Sequence, residues 1–296
     1  MLIGLNAGFG EPISFEFGNL APLGITVVRQ DVRAHFDDGH VQALVHEFAG
    51  AAVTPLFLLA GGHIDTPDHL SRIEPHEIAA LGQRVVAAAA SVGLTNYWIE
   101  VGNEPDLAHV DYRTRPADFA IAVQQTFDAV RAAGFGGPVV SGGICNLSRA
   151  SLTYLERVLN QGLPADVIIG FHRYPKGLTP ANPQDGFASR DAEWQELQRL
   201  ANGRAVACTE VGHHTAPRKY KVWGFLPWKK RLSDDEVAAH VVFDLAYFKS
   251  RGCLLTAVYQ LNDGPSNDSH LDRYGIRRQD GTWKPAAAAI AAFATA

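Results

Sequence analysis

Two carboxylates stand where they can do chemistry. Glu104 stands near the end of the stretch Trp98-Ile99-Glu100-Val101-Gly102-Asn103-Glu104-Pro105, and Glu210 ends Ala207-Cys208-Thr209-Glu210. Each comes directly after an apolar run, where a charge that merely fills space is costly to desolvate. Two carboxyl groups facing each other across a pocket are the minimal apparatus for glycoside hydrolysis. One protonates the leaving oxygen, and the other attacks the anomeric carbon or activates water. The plainer alternative is that each Glu pairs with a nearby cation such as Arg29 or Arg173. It serves well for one strand-end Glu and poorly for two.

The elements that must position this pair follow from the apolar pattern. Short β-branched and apolar runs recur over 2–6, 26–29, 54–59, 97–101, 138–141, 167–171, 205–209 and 254–260, and suit strands buried on both faces. Helical spacing predicts helices over 41–50, 74–92, 116–133, 149–160, 189–200, 233–250 and 285–294, with a capping box at Ser233-Asp234-Asp235-Glu236. The connection 10–23 gives the weakest helical signal. Eight strand–helix alternations without a Gly/Ser or Pro linker predict the α/β class and a single (β/α)8 TIM barrel over residues 1–296. An open doubly wound sheet is the alternative, but Leu5-Asn6-Ala7-Gly8-Phe9-Gly10 lacks the G-x-G-x-x-G spacing. In a barrel, catalytic groups sit at the C-terminal strand ends. Strands four and seven then place Glu104 and Glu210 across the barrel mouth.

At this point four segments resemble glycoside hydrolase clan A, the "4/7" superfamily of retaining (β/α)8-barrel glycosidases. Asn103-Glu104-Pro105 resembles the strand-four signature, and Thr209-Glu210-Val211-Gly212 that of strand seven. Phe171-His172-Arg173-Tyr174-Pro175 resembles the His-x-Tyr after strand six. Tyr274-Gly275-Ile276 with Asp280-Gly281-Thr282-Trp283-Lys284-Pro285 resembles the closing segment before the last helix. The resemblance spans the barrel and implies an O-glycosyl hydrolase. It implies Glu104 as acid/base and Glu210 as nucleophile, with Asn103 bonding the sugar 2-hydroxyl. It also implies that Tyr174 and Arg29 hold the nucleophile ionised and that His172 lines the pocket. A satisfied structural role for His172 is the alternative. A retaining pair needs one protonated and one ionised carboxyl, about 5–5.5 Å apart. Cation and donor partners for Glu210, against Asn103 and apolar neighbours for Glu104, are expected to split the two pKa values.

The chain departs from the clan at the end of strand eight. A Trp commonly forms a sugar platform there, but this sequence reads Tyr259-Gln260-Leu261-Asn262. Tyr259, Gln260 or a loop is expected to serve instead. The segment after strand seven carries Trp223 and Trp228, read as possible stacking surfaces, and Lys219, Lys221, Lys229 and Lys230, which favour an acidic or sulfated saccharide. Loop packing for the Trp residues and solvation for the Lys residues are the alternatives.

No metal and no cofactor is expected. His63, Asp65, Asp68, His69 and His213-His214 are metal-like in type, but they lack a helical H-E-x-x-H or a Cys pair. Cys145, Cys208 and Cys253 read as structural thiols; three cysteines make no disulfide framework. A net charge of −5 without a basic cluster argues against a nucleic-acid partner, and no apolar run approaches the length of a membrane span. The expected partner is a carbohydrate. No signal peptide is visible, so the sequence as given reads as cytoplasmic, or as secreted if a leader has been removed. A catalytically idle saccharide-binding barrel and a metal-dependent barrel hydrolase remain the competing readings. Sugar, linkage, endo or exo action and oligomeric state are not readable from the residues.

Overall fold

A computed structural model describes residues 1–7, 17–60, 74–107, 111–175, 179–222, 226–265 and 271–296. Eight parallel strands follow one another around a barrel: β1 (Leu2–Asn6), β2 (Val27–Arg33), β3 (Thr54–Ala60), β4 (Trp98–Val101), β5 (Val139–Ser141), β6 (Ile169–Arg173), β7 (Val206–Val211) and, last in the chain, β10 (Leu255–Val258). The ladder runs β5-β4-β3-β2-β1-β10-β7-β6. Bridges between Val140 and Ile168 and between Ile144 and Phe171 bring β6 against β5 and close the ring. The fold is a (β/α)8 TIM barrel. The predicted strands match these within a few residues, because each is buried on both faces and reads as a nearly continuous apolar run.

Helices wrap the outside: α1 (Phe17–Leu20), α2 (Asp38–Glu47), α3 (Pro75–Ser91), α4 (Pro116–Ala132), α5 (Arg149–Leu159), α6 (Arg190–Ala201), α7 (Asp234–Ser250) and α8 (Pro285–Thr295). Pro opens α3, α4 and α8, where its missing N–H is no loss. Ser148, Ser189 and Ser233 cap α5, α6 and α7 by accepting a backbone N–H, and the capping box at Ser233 and Glu236 forms as predicted. Within the weak 10–23 region, α1 and a 3-10 turn over Ala21–Leu23 carry the described part. No described helix is long and apolar enough to cross a membrane.

The segment between the seventh and eighth barrel strands was expected as a long loop. It contains an antiparallel hairpin, β8 (Arg218–Val222) with β9 (Leu226–Lys230), in which Tyr220 lies opposite Trp228. The alternation Lys219-Tyr220-Lys221-Val222 before Gly224 was the available signal for a strand.

Inside the barrel, Val27, Leu56, Trp98, Val140, Ile168, Ala207 and Leu255 form a separate apolar cluster that plugs the interior. Side chains along a strand return to the same face every second residue. Two residues further along β2, β4 and β7 come Arg29, Glu100 and Thr209. A polar layer therefore rests on the apolar plug, and the mouth of the barrel opens above it.

Candidate active site

The polar layer is built around Arg29, which is 4% exposed. Its Nε donates to Glu100 Oε2 at 2.5 Å, and Nη1 donates to Asn6 Oδ1 at 2.9 Å and to Glu210 Oε1 at 2.6 Å. Nη2 donates to Asn103 Oδ1 at 2.7 Å. Burial alone would lower the guanidinium pKa, but Glu100 and Glu210 outweigh it and raise the value, so Arg29 is a permanent cation. Glu100, fully buried, also accepts from the Thr209 hydroxyl at 2.8 Å and from the Gly143 N–H at 3.2 Å. Asn6 Nδ2 donates to the Thr209 carbonyl at 3.1 Å, tying β1 to β7.

Thr209 and Glu210 are adjacent, yet both reach the interior. Strict alternation forbids this, and the register supplies the reason. Phe171 pairs with Cys208, but His172 pairs with Glu210; on the other side, Thr256 pairs with Cys208 and Val258 with Val211. One extra residue bulges out of β7 and turns Glu210 inward.

Glu104 is held differently. It has φ +44°, in the left-handed region, and the other described non-glycine residue with positive φ is Asn202, an ordinary helix C-cap. Such a conformation costs on the order of 1–3 kcal/mol and persists where the surroundings impose it. Here the Glu104 N–H donates to the Gly143 carbonyl at 3.0 Å. Its side chain is 16% exposed, against 8% for Glu210.

His172 joins the two. Nδ1 is 2.9 Å from Glu104 Oε1 and 3.5 Å from Glu210 Oε2. Burial disfavours its charged form, but the charge of Glu210 and the hydrogen bond and charge of Glu104 prevail, and its pKa is raised. The ring is packed against Gly143, where a Cβ would fall 2.4 Å from Nε2; only glycine fits. Tyr174 donates its phenol hydrogen to Glu210 Oε2 in a short bond. Burial and the Glu210 charge push the Tyr174 pKa well above its ordinary value, so it stays a donor.

One oxygen of Glu104, one of Glu210 and a ring nitrogen of His172 all lie within 4.8 Å of one another. The trio has the types of a metal cage, and among the described residues it is the group that does. The nitrogen in reach is, however, the one that hydrogen-bonds Glu104, and both Glu210 oxygens already accept from Arg29 and Tyr174. The donors present are those of a hydrogen-bonded carboxylate pair.

The expected residues thus fall into three sets. Glu104, Glu210, Arg29, Asn103, His172 and Tyr174 come together. Tyr259 and Gln260 are close by but buried. The Tyr259 ring sits edge-on to Tyr174 at 6.0 Å and to Tyr274 at 5.5 Å, forming a trio around the phenol that serves Glu210. Trp223 lies outside the described residues, as do His63, Asp65, Asp68 and His69; Trp228 is on β9.

Arg173, offered as a cation for the carboxylates, points the other way. It donates to Glu193 Oε1 at 2.9 Å behind the barrel wall, because it alternates with His172 and Tyr174. His213 pairs with Asp244 at 2.6 Å. The residues missed from sequence are Glu100, Asn6 and Thr209. Each is a polar residue within or at the end of an apolar strand.

Comparison with known proteins places this geometry in context. No protein-family model matches the chain, and a search of curated proteins found no match. Solved structures do match in fold. A family 39 glycoside hydrolase from the gut symbiont Bacteroides cellulosilyticus WH2 superposes with TM-score 0.72 at 16% identity, over 99% of this chain and 63% of that one. The exo-β-1,4-mannosidase Op5Man5 from Opitutaceae bacterium strain TAV5 gives 0.68 at 16%, over 100% and 59%. XacCel5A in complex with cellopentaose gives 0.68 at 15%, over 99% and 98%. The chain therefore spans about three fifths of the first two, and what it shares with all three is the barrel.

Proposed function

We propose that residues 1–296 form one catalytic domain, a retaining O-glycoside hydrolase of clan A that cleaves a β-linked glycan or glycoside by double displacement. The observation that carries this is the approach of Glu104 and Glu210 within 4.8 Å at the barrel mouth. An approach this close between one oxygen of each favours the retaining arrangement, with carboxyl groups roughly 5–5.5 Å apart, over the roughly 6.5–9.5 Å that leaves room for an inverting water. The matched structures named as an exo-β-1,4-mannosidase and a cellopentaose complex support a β-linked substrate.

The roles follow from the partners. Glu210, held by Arg29 and the Tyr174 phenol, attacks the anomeric carbon as an anion. Glu104 gives its proton to the departing oxygen as the glycosidic bond breaks. The resulting glycosyl ester on Glu210 is opened by water, whose proton Glu104 takes back, and the sugar leaves with its original configuration. Asn103 already spends its Oδ1 on Arg29, which turns its amide N–H groups toward the 2-hydroxyl. That bond strengthens as positive charge develops on the ring. His172, between the two carboxyl groups, keeps Glu104 oriented as its proton goes and returns.

Aryl β-xyloside, β-glucoside and β-mannoside are the test. The wild type should cleave at least one with retention, read by proton NMR of the first-formed product. Glu210→Gln should lose at least ~10⁴ in kcat while still binding product, a loss on the scale of removing a covalent nucleophile. Inversion, or activity surviving in Glu210→Gln, overturns the reading.

A further inference from the structure

Among the described residues, a concavity adjoins the segment that carries Glu104. A cleft of about 390 Å³ opens between α5 and the loop after β4, and Asp106, Arg113, Arg149, Ser151, Tyr154 and Arg157 are among its lining residues. Three arginines against one aspartate make it locally cationic, on a chain whose net charge is −5. Part of the aspartate's demand is already met, since Asp106 Oδ1 accepts from the Cys145 N–H at 2.8 Å.

These arginines differ from five others that meet a carboxylate. Arg84 meets Asp38, Arg115 meets Asp118, Arg199 meets Glu156, Arg251 meets Asp191, and Arg278 meets Asp234. Arg113 and Arg157 have no carboxylate partner among the described residues. Arg157 even has an acidic chain neighbour, Glu156, that pairs with Arg199 instead. Arg149 is fixed without an acid: Nε and Nη2 donate to the Gly186 carbonyl at 3.4 and 3.2 Å, and its guanidinium lies 4.8 Å over the Phe187 ring. That leaves its Nη1 group for another acceptor. The scaffold is tied down as well. The Tyr154 phenol donates to the Tyr112 carbonyl at 3.1 Å, locking the 3-10 turn that bears Arg113 onto α5.

We propose that this cleft binds an anionic group, a carboxylate or a sulfate, carried by the leaving-group side of the substrate. The side follows from the site as read above, on which this inference rests. Glu104 hands its proton to the departing oxygen, and the cleft wall begins two residues beyond it at Asp106. Unpaired guanidiniums converging on one concavity are the chemistry that recognises carboxylate and sulfate oxygens. The substrate class is then an acidic glycan whose reducing-side unit is a uronate or a sulfated sugar.

The experiment uses the full chain carrying Glu210→Gln, so that no turnover intervenes, and reads binding by calorimetry. The probes are β-1,4-trimannuronate, β-1,4-mannotriose and mannotriose 6-sulfate, which differ in the group on C6. At low salt at least one acidic probe should bind at least ~10-fold more tightly than mannotriose, and the tighter of the two names the anion. The preference should shrink in high salt, where charge attraction is screened. Adding Arg113→Gln with Arg157→Gln should bring the acidic-to-neutral ratio within about twofold of unity, whereas Arg199→Gln, outside the cleft, should leave the ratio standing. Thermal unfolding confirms that each variant is folded. Equal affinity for acidic and neutral probes, or a preference that survives the double substitution, overturns the proposal. Aryl β-glycoside hydrolysis by the wild type is measured alongside. If hydrolysis fails while the ratio responds to the arginines, the hydrolase reading falls and the anion-binding cleft stands.

Discussion

Arg29 Nη1 donates to Glu210 Oε1 at 2.6 Å in a barrel layer where both side chains are more than nine-tenths buried. The same guanidinium holds Glu100, Asn6 and Asn103, so one planar fork sets four side chains at once. Arg29→Met should leave buried Glu100 without a cation and Glu210 with His172 alone, and cost about 3–5 kcal/mol of stability. Arg29→Lys keeps the charge but not the fork, and should fold while losing at least ~10-fold in kcat. Thermal unfolding together with steady-state kinetics separates the two outcomes.

Glu100 touches no part of the mouth, yet it anchors the Arg29 Nε. A Gln in its place must turn an amide N–H₂ toward the Gly143 N–H, the Thr209 hydroxyl or Arg29, all of which now donate to it. Glu100→Gln should therefore lose about 1–3 kcal/mol in denaturant unfolding. Its kcat should fall further than its KM rises, because Arg29 is freed to drift from Glu210. An unchanged unfolding midpoint would contradict the network.

His172 links stability to pH. Its folded pKa is raised above the ordinary 6.5, so the folded state binds the proton more tightly than the unfolded chain. The stabilisation is complete below 6.5 and is lost as pH rises through the raised value. The unfolding-temperature gap between wild type and His172→Gln should be widest at about pH 6 and should narrow toward alkaline pH. A gap that widens with pH would reverse the sign.

Tyr174→Phe removes the phenol from Glu210 and leaves a buried carboxylate oxygen short of a donor. The loss acts where charge changes during the reaction, so kcat should drop about 10–100-fold with little change in fold. Difference absorbance on raising the pH should also show one tyrosine fewer among those that resist ionisation, since Tyr174 titrates well above its ordinary value.

The barrel was readable because strands such as Thr54–Ala60 and Val206–Val211 are largely apolar, and because Pro116 and Ser233 announce their helices. The strand-end rule then brought out Glu104 and Glu210, and the clan resemblance pointed to Arg29, Asn103, His172 and Tyr174. The rule passed over Glu100 because that residue lies inside β4, below the mouth, where only its neighbours explain a charge. The alternative that paired a strand-end Glu with Arg173 fails because position alone does not say which way a strand-end side chain faces, and Arg173 turns to Glu193. The arginine cleft could not be read at all. Arg113 and Arg157 are 44 residues apart in the sequence, and the packing of a 3-10 turn onto α5 brings them together.

The bulge in β7 has a consequence for what the strand tolerates. The aim of Glu210 is set by a count of residues between two ladders, not by any one contact that a substitution could restore. Apolar side chains along β7 can be exchanged for others, but its length cannot change. Deleting one residue between Cys208 and Val211 would rotate the acid out of the barrel toward the helical shell, and Arg29 would then face an empty place in the barrel.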